Sequence, residues 1–202
     1  MKLSKFKPIF VFSVLSLVSF FGLMIYALRH DPNVLPSQLI GKTAPAFSAN
    51  VSQGGVFNSA DQFAKGRWVV INFWSTTCIV CRDEAPELER FYQESTQKGA
   101  EGPLFVSINI QESIKEILGY ANDFKLSYPI VSDKIGKISL DYGVTGTPET
   151  FFIDPAGRVR HRVAGEVSRD TIFRFIEWLE KNPDGTAQDA LNGFARLRKG
   201  QG

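Results

Sequence analysis

The chain is poor in metal-ligating and thiol side chains, with two cysteines and two histidines in 202 residues. The cysteines, Cys78 and Cys81, supply at most half of a tetrahedral zinc site. The histidines, His30 and His161, have no finger-like spacing relative to them. Charge is balanced, 23 basic against 21 acidic side chains, and no basic run carries interleaved aromatics. Nucleic acid is therefore not an expected partner. No internal repeat is found. With 44% hydrophobic and 22% charged residues, the length fits one globular domain plus an appendage.

Charge is missing altogether from Pro8 to Leu28, 21 residues rich in Phe, Val, Leu and Ile. That length matches the about 20 apolar residues that cross a bilayer. Lys2, Lys5 and Lys7 precede it, so the positive-inside rule leaves the N-terminus in the cytoplasm and exports the chain beyond Arg29. A cleaved signal peptide would have a shorter apolar part of about 7–15 residues and a small-x-small site. The run instead ends Met24-Ile25-Tyr26-Ala27-Leu28-Arg29. The expected organisation is a cytoplasmic segment 1–7, a transmembrane anchor 8–28 and a Pro-containing linker 29–38. A folded domain 39–182 and a tail 183–202 complete it. The tail's apolar residues have rough helical spacing broken by Gly193, which leaves a docked helix and a frayed end equally open.

What the sequence does have is Cys-x-x-Cys placed immediately after an apolar run. Trp68 to Trp74 reads as a strand buried on both faces, and Ile79 to Gln97 as the following helix, with Pro86 expected to kink it. At the start of a helix, unpaired N–H groups and the positive end of the dipole favour a thiolate at Cys78. Cys81, one turn on, is placed to close or resolve a disulfide. Outside the cytoplasm such a pair tends to oxidise, so a reducing role needs an electron supply, and an anchor would hold the protein where a membrane donor could reach it.

The remaining pattern is a hairpin over 47–57 around Gly54-Gly55, a strand 104–110 and a helix 113–124 facing inward through Ile114, Ile117, Leu118 and Ala121. An extended piece 128–131, a helix 135–142, a hairpin formed by 150–153 and 158–164, and a closing helix 171–181 come next. This order predicts an α/β, thioredoxin-like fold with an N-terminal β-hairpin and a central insertion over 113–142. In such a fold the run Thr147-Pro148 packs beside the cysteines. A cis Thr147-Pro148 bond would open the backbone of Thr147 to an extended substrate peptide. Glu84, three residues after Cys81, and Glu149, just after Pro148, are candidate proton carriers and modulators of the thiols. Their bland alternatives are a solvated first-turn acid and an exposed strand-start residue. Trp74 is expected to pack over the site on its substrate side. His161, in the basic run Arg158 to Arg162, reads as an exposed strand residue.

The runs W-S-T-T-C-I-V-C-R-D-E-A-P and G-V-T-G-T-P-E-T-F-F-I-D, with the opening L-I-G-K-T-A-P-A-F, resemble the membrane-anchored, thioredoxin-like reductases of bacterial cytochrome c maturation (the DsbE/CcmG type). The likeness covers roughly Leu39 to Glu180. The pair Ile79-Val80 departs from the Pro-containing dipeptide common there. The resemblance implies a thiol:disulfide oxidoreductase in the inner membrane with its domain in the periplasm. Its clients would be apocytochrome c or a thiol carrier of it, and its electrons would come from a transmembrane thiol–disulfide donor. Neither metal nor cofactor is implied. Cys78 would attack, Cys81 resolve, Glu84 and Glu149 assist, and Trp74, Thr147 and Pro148 meet the substrate. A relative serving another exported client, such as a copper-oxidase subunit, and a Cu(I)-binding module using two soft thiolates are the rival readings. A peroxiredoxin is disfavoured because Ile71 stands where that pattern places a proline, seven residues before the reactive cysteine.

Overall fold

The structure, a computed structural model, describes residues 8–29 and 37–199. The expected cytoplasmic segment and most of the linker lie outside the described residues. The chain divides into two compact units, 1–35 and 36–202. The first holds helix α1 (Pro8–Arg29), whose side chains are described from Phe10 to Tyr26 and are exposed. Among the described residues no helix is long and apolar enough to cross a membrane, so the expected span is not shown.

The second unit is built on a five-stranded sheet of β3 (Val69–Trp74), β4 (Leu104–Ile110), β5 (Ile130–Asp133), β6 (Glu149–Ile153) and β7 (Val159–Ala164), in the order β5-β4-β3-β6-β7. β4 is parallel to β3 and β5, while β6 runs antiparallel between β3 and β7. The central strand β3 is buried at every position, as its near-continuous apolar run requires when both faces are covered. Val70 and Trp74 belong to one core with α3 (Ile79–Gln97) and α6 (Arg169–Lys181). Val69, Ile71 and Phe73 belong to another with α5 (Lys137–Tyr142) and the small hairpin β1 (Ser48–Asn50) and β2 (Val56–Asn58). A short α2 (Ser59–Phe63) comes after that hairpin. The expected α/β thioredoxin-like fold with its extra hairpin is present.

One local reading changes, at Ile114, and one left open, the tail, is decided. Pro86 lies inside α3, which runs as one helix from Ile79 to Gln97. Helix α4 (Ile114–Phe124) starts with a capping box from Ser113 and Glu116, worth about 1 kcal/mol, but it buries Ile117, Tyr120 and Ala121 and leaves Ile114 exposed. The tail forms helix α7 (Ala187–Lys199), docked through Ala190 and Phe194. Gly193, which broke the sequence pattern, is what lets α7 approach: a Cβ there would lie 2.7 Å from Cε2 of Trp178.

Candidate active site

β3 ends at Trp74, and a four-residue loop delivers the chain to the N-terminus of α3. Glu112, just past β4, fixes that loop by accepting from the Thr76 amide at 2.8 Å and the Thr76 hydroxyl at 2.7 Å. Cys78 caps α3 in an extended conformation. Its Sγ accepts from the Cys81 amide at 3.1 Å, so when the pair is reduced an unpaired helix donor points at the sulfur and stabilises the thiolate. Cys78 and Cys81 form a disulfide. Cys78 is half-buried and Cys81 buried, which makes Cys78 the sulfur an incoming group can reach. Ile79 and Val80 between them are 76% and 42% exposed and form an apolar rim.

The sheet register brings the second segment to the same end. Phe73 pairs with Glu149 across β3 and β6, so Thr147 and Pro148 sit opposite the cysteine loop. The Thr147–Pro148 bond is cis, and the Thr147 carbonyl oxygen is 3.4 Å from Cys78 Sγ. Pro148 is buried, with its carbonyl accepting from the Gly165 amide.

Both candidate acids are buried. The Glu84 carboxylate accepts from the Val167 amide at 2.9 Å and from Asn72 Nδ2 at 3.1 Å. Burial, reinforced by the charge of Glu166 and only partly offset by those two hydrogen bonds, pushes its pKa up to about 8. Glu84 thus holds a proton at neutral pH one turn from Cys81. Glu149 takes up a different arrangement. Its Oε1 accepts from the Thr145 amide at 2.9 Å, the Thr145 hydroxyl at 2.7 Å and the Gly146 amide at 3.1 Å. Arg162 Nε lies 3.3 Å from its Oε2. It ties together the loop that carries Thr147.

This chain matches the AhpC/TSA family over residues 40–162. It is 32% identical over 182 residues to the thiol:disulfide interchange protein DsbE homologue of Paracoccus denitrificans, covering 89% of this chain and 97% of that protein. To DsbE of Pseudomonas aeruginosa it is 33% identical over 163 residues, 80% and 84% of the two chains. The crystal structure of a thioredoxin-family thiol:disulfide interchange protein from Chlorobium tepidum superposes with a TM-score of 0.60 at 26% identity, covering 71% of this chain and 95% of that one. The chain belongs to the AhpC/TSA family. Within it this is a thioredoxin-like thiol:disulfide oxidoreductase with a Cys-x-x-Cys active site, similar to DsbE.

On this AhpC/TSA scaffold two sequence readings need correction. Trp74 is 3% exposed: it shares a face with Val70, packs on Tyr120 at 4.5 Å between ring centroids, and donates from Nε1 to Ser107. Its ring supports the site from within the core. His161 is 1% exposed, not a surface residue, because strand alternation points it with Val163 toward α6 and α7. Sequence reasoning missed the residues that hold the acids, namely Asn72, Thr145, Arg162 and the Val167 amide. Only Asn72 left a signal, as the single polar residue in an apolar strand. Tyr120, whose hydroxyl donates to the Cys81 carbonyl at 3.0 Å, left none.

Proposed function

We propose that the protein is an anchored, exported reductant that delivers electrons to disulfides of apocytochrome c, or of its thiol carrier, before haem attachment. In this reading the Cys78 thiolate attacks the client disulfide and the buried Cys81 resolves the mixed disulfide. Glu84 and Glu149 act beside the pair, and the Thr147 backbone at Pro148 receives the client as an extended strand. The carrying observation is the pairing of a reachable, helix-capping Cys78 Sγ with a buried Cys81 one turn from a proton-holding carboxyl. The proton needed whenever a thiolate leaves is then held inside the site.

Anchoring is supported by α1, where Phe12, Leu15, Val18, Phe20 and Leu23 are each more than half exposed in a run that carries no charge from 8 to 28. An apolar surface of that kind requires a cover, and a bilayer would supply it. The soluble domain would then face the periplasm, with a transmembrane thiol–disulfide carrier as electron donor.

The test is the reduction potential of Cys78–Cys81 together with cytochrome c assembly. A potential near or below about −270 mV, with assembly lost in Cys78→Ala, is the expected outcome. A potential near about −120 mV, typical of strong exported oxidants, reverses the direction. Normal assembly in Cys78→Ala removes the client.

A further inference from the structure

Beside Glu84 lies a cavity of about 120 Å³ that neither cysteine lines. Its walls are Asp83 and Glu87 of α3, Glu166 and Ser168 of the β7–α6 connection, Thr171 of α6, and Phe194 of α7. The volume is far above the about 10–15 Å³ that one water needs, and the walls are polar enough to hold several. Glu84 itself is 2% exposed, and Phe194, 8% exposed, is the part of the C-terminal helix that reaches this space.

We propose that the protons Glu84 takes up and gives away travel through this cavity, and that Phe194 of the C-terminal helix sets how much water stands beside the carboxyl. The inference rests on Glu84 being the proton carrier of the exchange. When a donor thiolate attacks Cys78 Sγ, a new S–S bond forms and the Cys78–Cys81 bond breaks. The Cys81 sulfur leaves with the electron pair and takes the proton of the Glu84 carboxyl. The donor's second thiol, its proton lost to solvent, then closes on the mixed disulfide and releases Cys78 as a thiolate, so the donor dithiol is oxidised as the protein is reduced. Glu84 is left ionised and must recover a proton from solvent. The cysteine side is occupied by the bound donor at that moment, whereas neither cysteine lines the cavity.

The groups facing Glu84 act in both senses: the charge of Glu166 raises its pKa, while the hydrogen bonds from the Val167 amide and Asn72 lower it. Asp83, Glu87 and Glu166 line the cavity, and the phenols of Tyr120 on α4 and Tyr128 before β5, whose pKa values burial raises, stay neutral beside it. α7 presents Phe194, an apolar wall. Widening access at Phe194 therefore adds water, the best available stabiliser of the ionised carboxyl.

The experiment measures the rate of reduction of the Cys78–Cys81 disulfide in the full chain by dithiothreitol, normalised to its thiolate, across pH 5 to 9.5. The wild type is expected to fall in rate above a midpoint near 8, as Glu84 loses its proton. Phe194→Ala should move that midpoint down by about one unit, a tenfold change in proton affinity. Gly193→Ala, which alters no cavity wall but pushes α7 from Trp178, should move it in the same direction and keeps the test alive if Phe194→Ala does not fold. Glu84→Gln should remove the inflection. Midpoints unmoved in both α7 variants, with the inflection lost in Glu84→Gln, would overturn the role of the cavity and leave Glu84 as the carrier. An inflection that survives Glu84→Gln would overturn the underlying reading itself.

Discussion

Glu84 and Glu149 flank the same cysteine pair and are buried alike, at 2% and 1% exposure, yet the sheet separates them. Glu84 approaches from the α3 side, bonded to Asn72 of β3, whose side chain shares a face with Val70 and Trp74. Glu149 pairs with Phe73 in the register of β3 and β6 and points to the opposite face. There Arg162 reaches it from β7, two residues from its own partner Ala164. One carboxyl is offered two uncharged donors and the other a guanidinium with three further donors. Equal burial therefore accompanies a carboxyl whose pKa is raised to about 8 on one side and a loop brace on the other. What differs is the company each acid keeps.

The two acids part most clearly in how stability depends on pH. The pKa of Glu84 is raised from 4.5 to about 8, so the folded protein holds a proton that the unfolded chain has lost in between. The contribution of Glu84 to stability should be complete below about pH 4.5 and decline as pH rises toward 8, by an amount approaching about 5 kcal/mol. Glu84→Gln should flatten that decline in urea titrations taken at pH 5 and pH 8. Equal slopes for wild type and variant would show that Glu84 is not held neutral. For Glu149 the corresponding break is Arg162→Met, which leaves a buried carboxylate without its counter-charge. A loss of about 3–5 kcal/mol is expected, recovered in large part by adding Glu149→Gln. If the second change recovers nothing, the pair is not what holds the Thr147 loop.

The contrast between the two acids was only half legible in the sequence. Strand β3 was, because seven largely apolar residues from Trp68 to Trp74 allow one reading, and α3 was, because its cap and periodic face are local. The proximity of Glu84 and Glu149 to the cysteines came from helical spacing and from the Pro148 loop. Their partners did not. Arg162 meets Glu149 through the register of two strands, and the Val167 amide meets Glu84 across 83 residues of sequence. The direction of Trp74 was available in principle from alternation with Val70 and Asn72. His161 was obscured by Arg158, Arg160 and Arg162 around it, which made the run look solvated, and by α7, whose docking no local pattern announces.

That hidden histidine gives the mirror image of Glu84. Among the described residues neither buried ring nitrogen of His161 has a hydrogen-bond partner, and the ring lies between Phe175 and Phe194. Burial first, then the charge of Arg162, lowers its pKa from 6.5 to about 4. The unfolded chain therefore takes up a proton that the fold refuses, and stability should fall as pH drops from 6.5 toward 4, by about 3 kcal/mol. His161→Phe should remove that acid limb without touching the alkaline one. An unchanged acid limb would place the penalty elsewhere.

The smallest expected effect bears on the helix that covers both groups. At Gly193 the backbone of α7 rests against the Trp178 ring, and a Cβ would fall within 2.9 Å of three of its carbons. Trp178 is stacked on Phe175 with rings 5.9 Å apart, so it has little room to yield and α7 must move instead. In an isolated helix Gly→Ala is stabilising by about 1 kcal/mol; here the overpacking cost of about 1–3 kcal/mol should outweigh it. Gly193→Ala is therefore expected to lower the melting temperature although it improves helix propensity. Amide exchange should quicken in α7 but not in β3. A variant more stable than the wild type would mean that α7 is not seated on Trp178, and the cover over His161 and the Glu84 cavity would have to be redrawn.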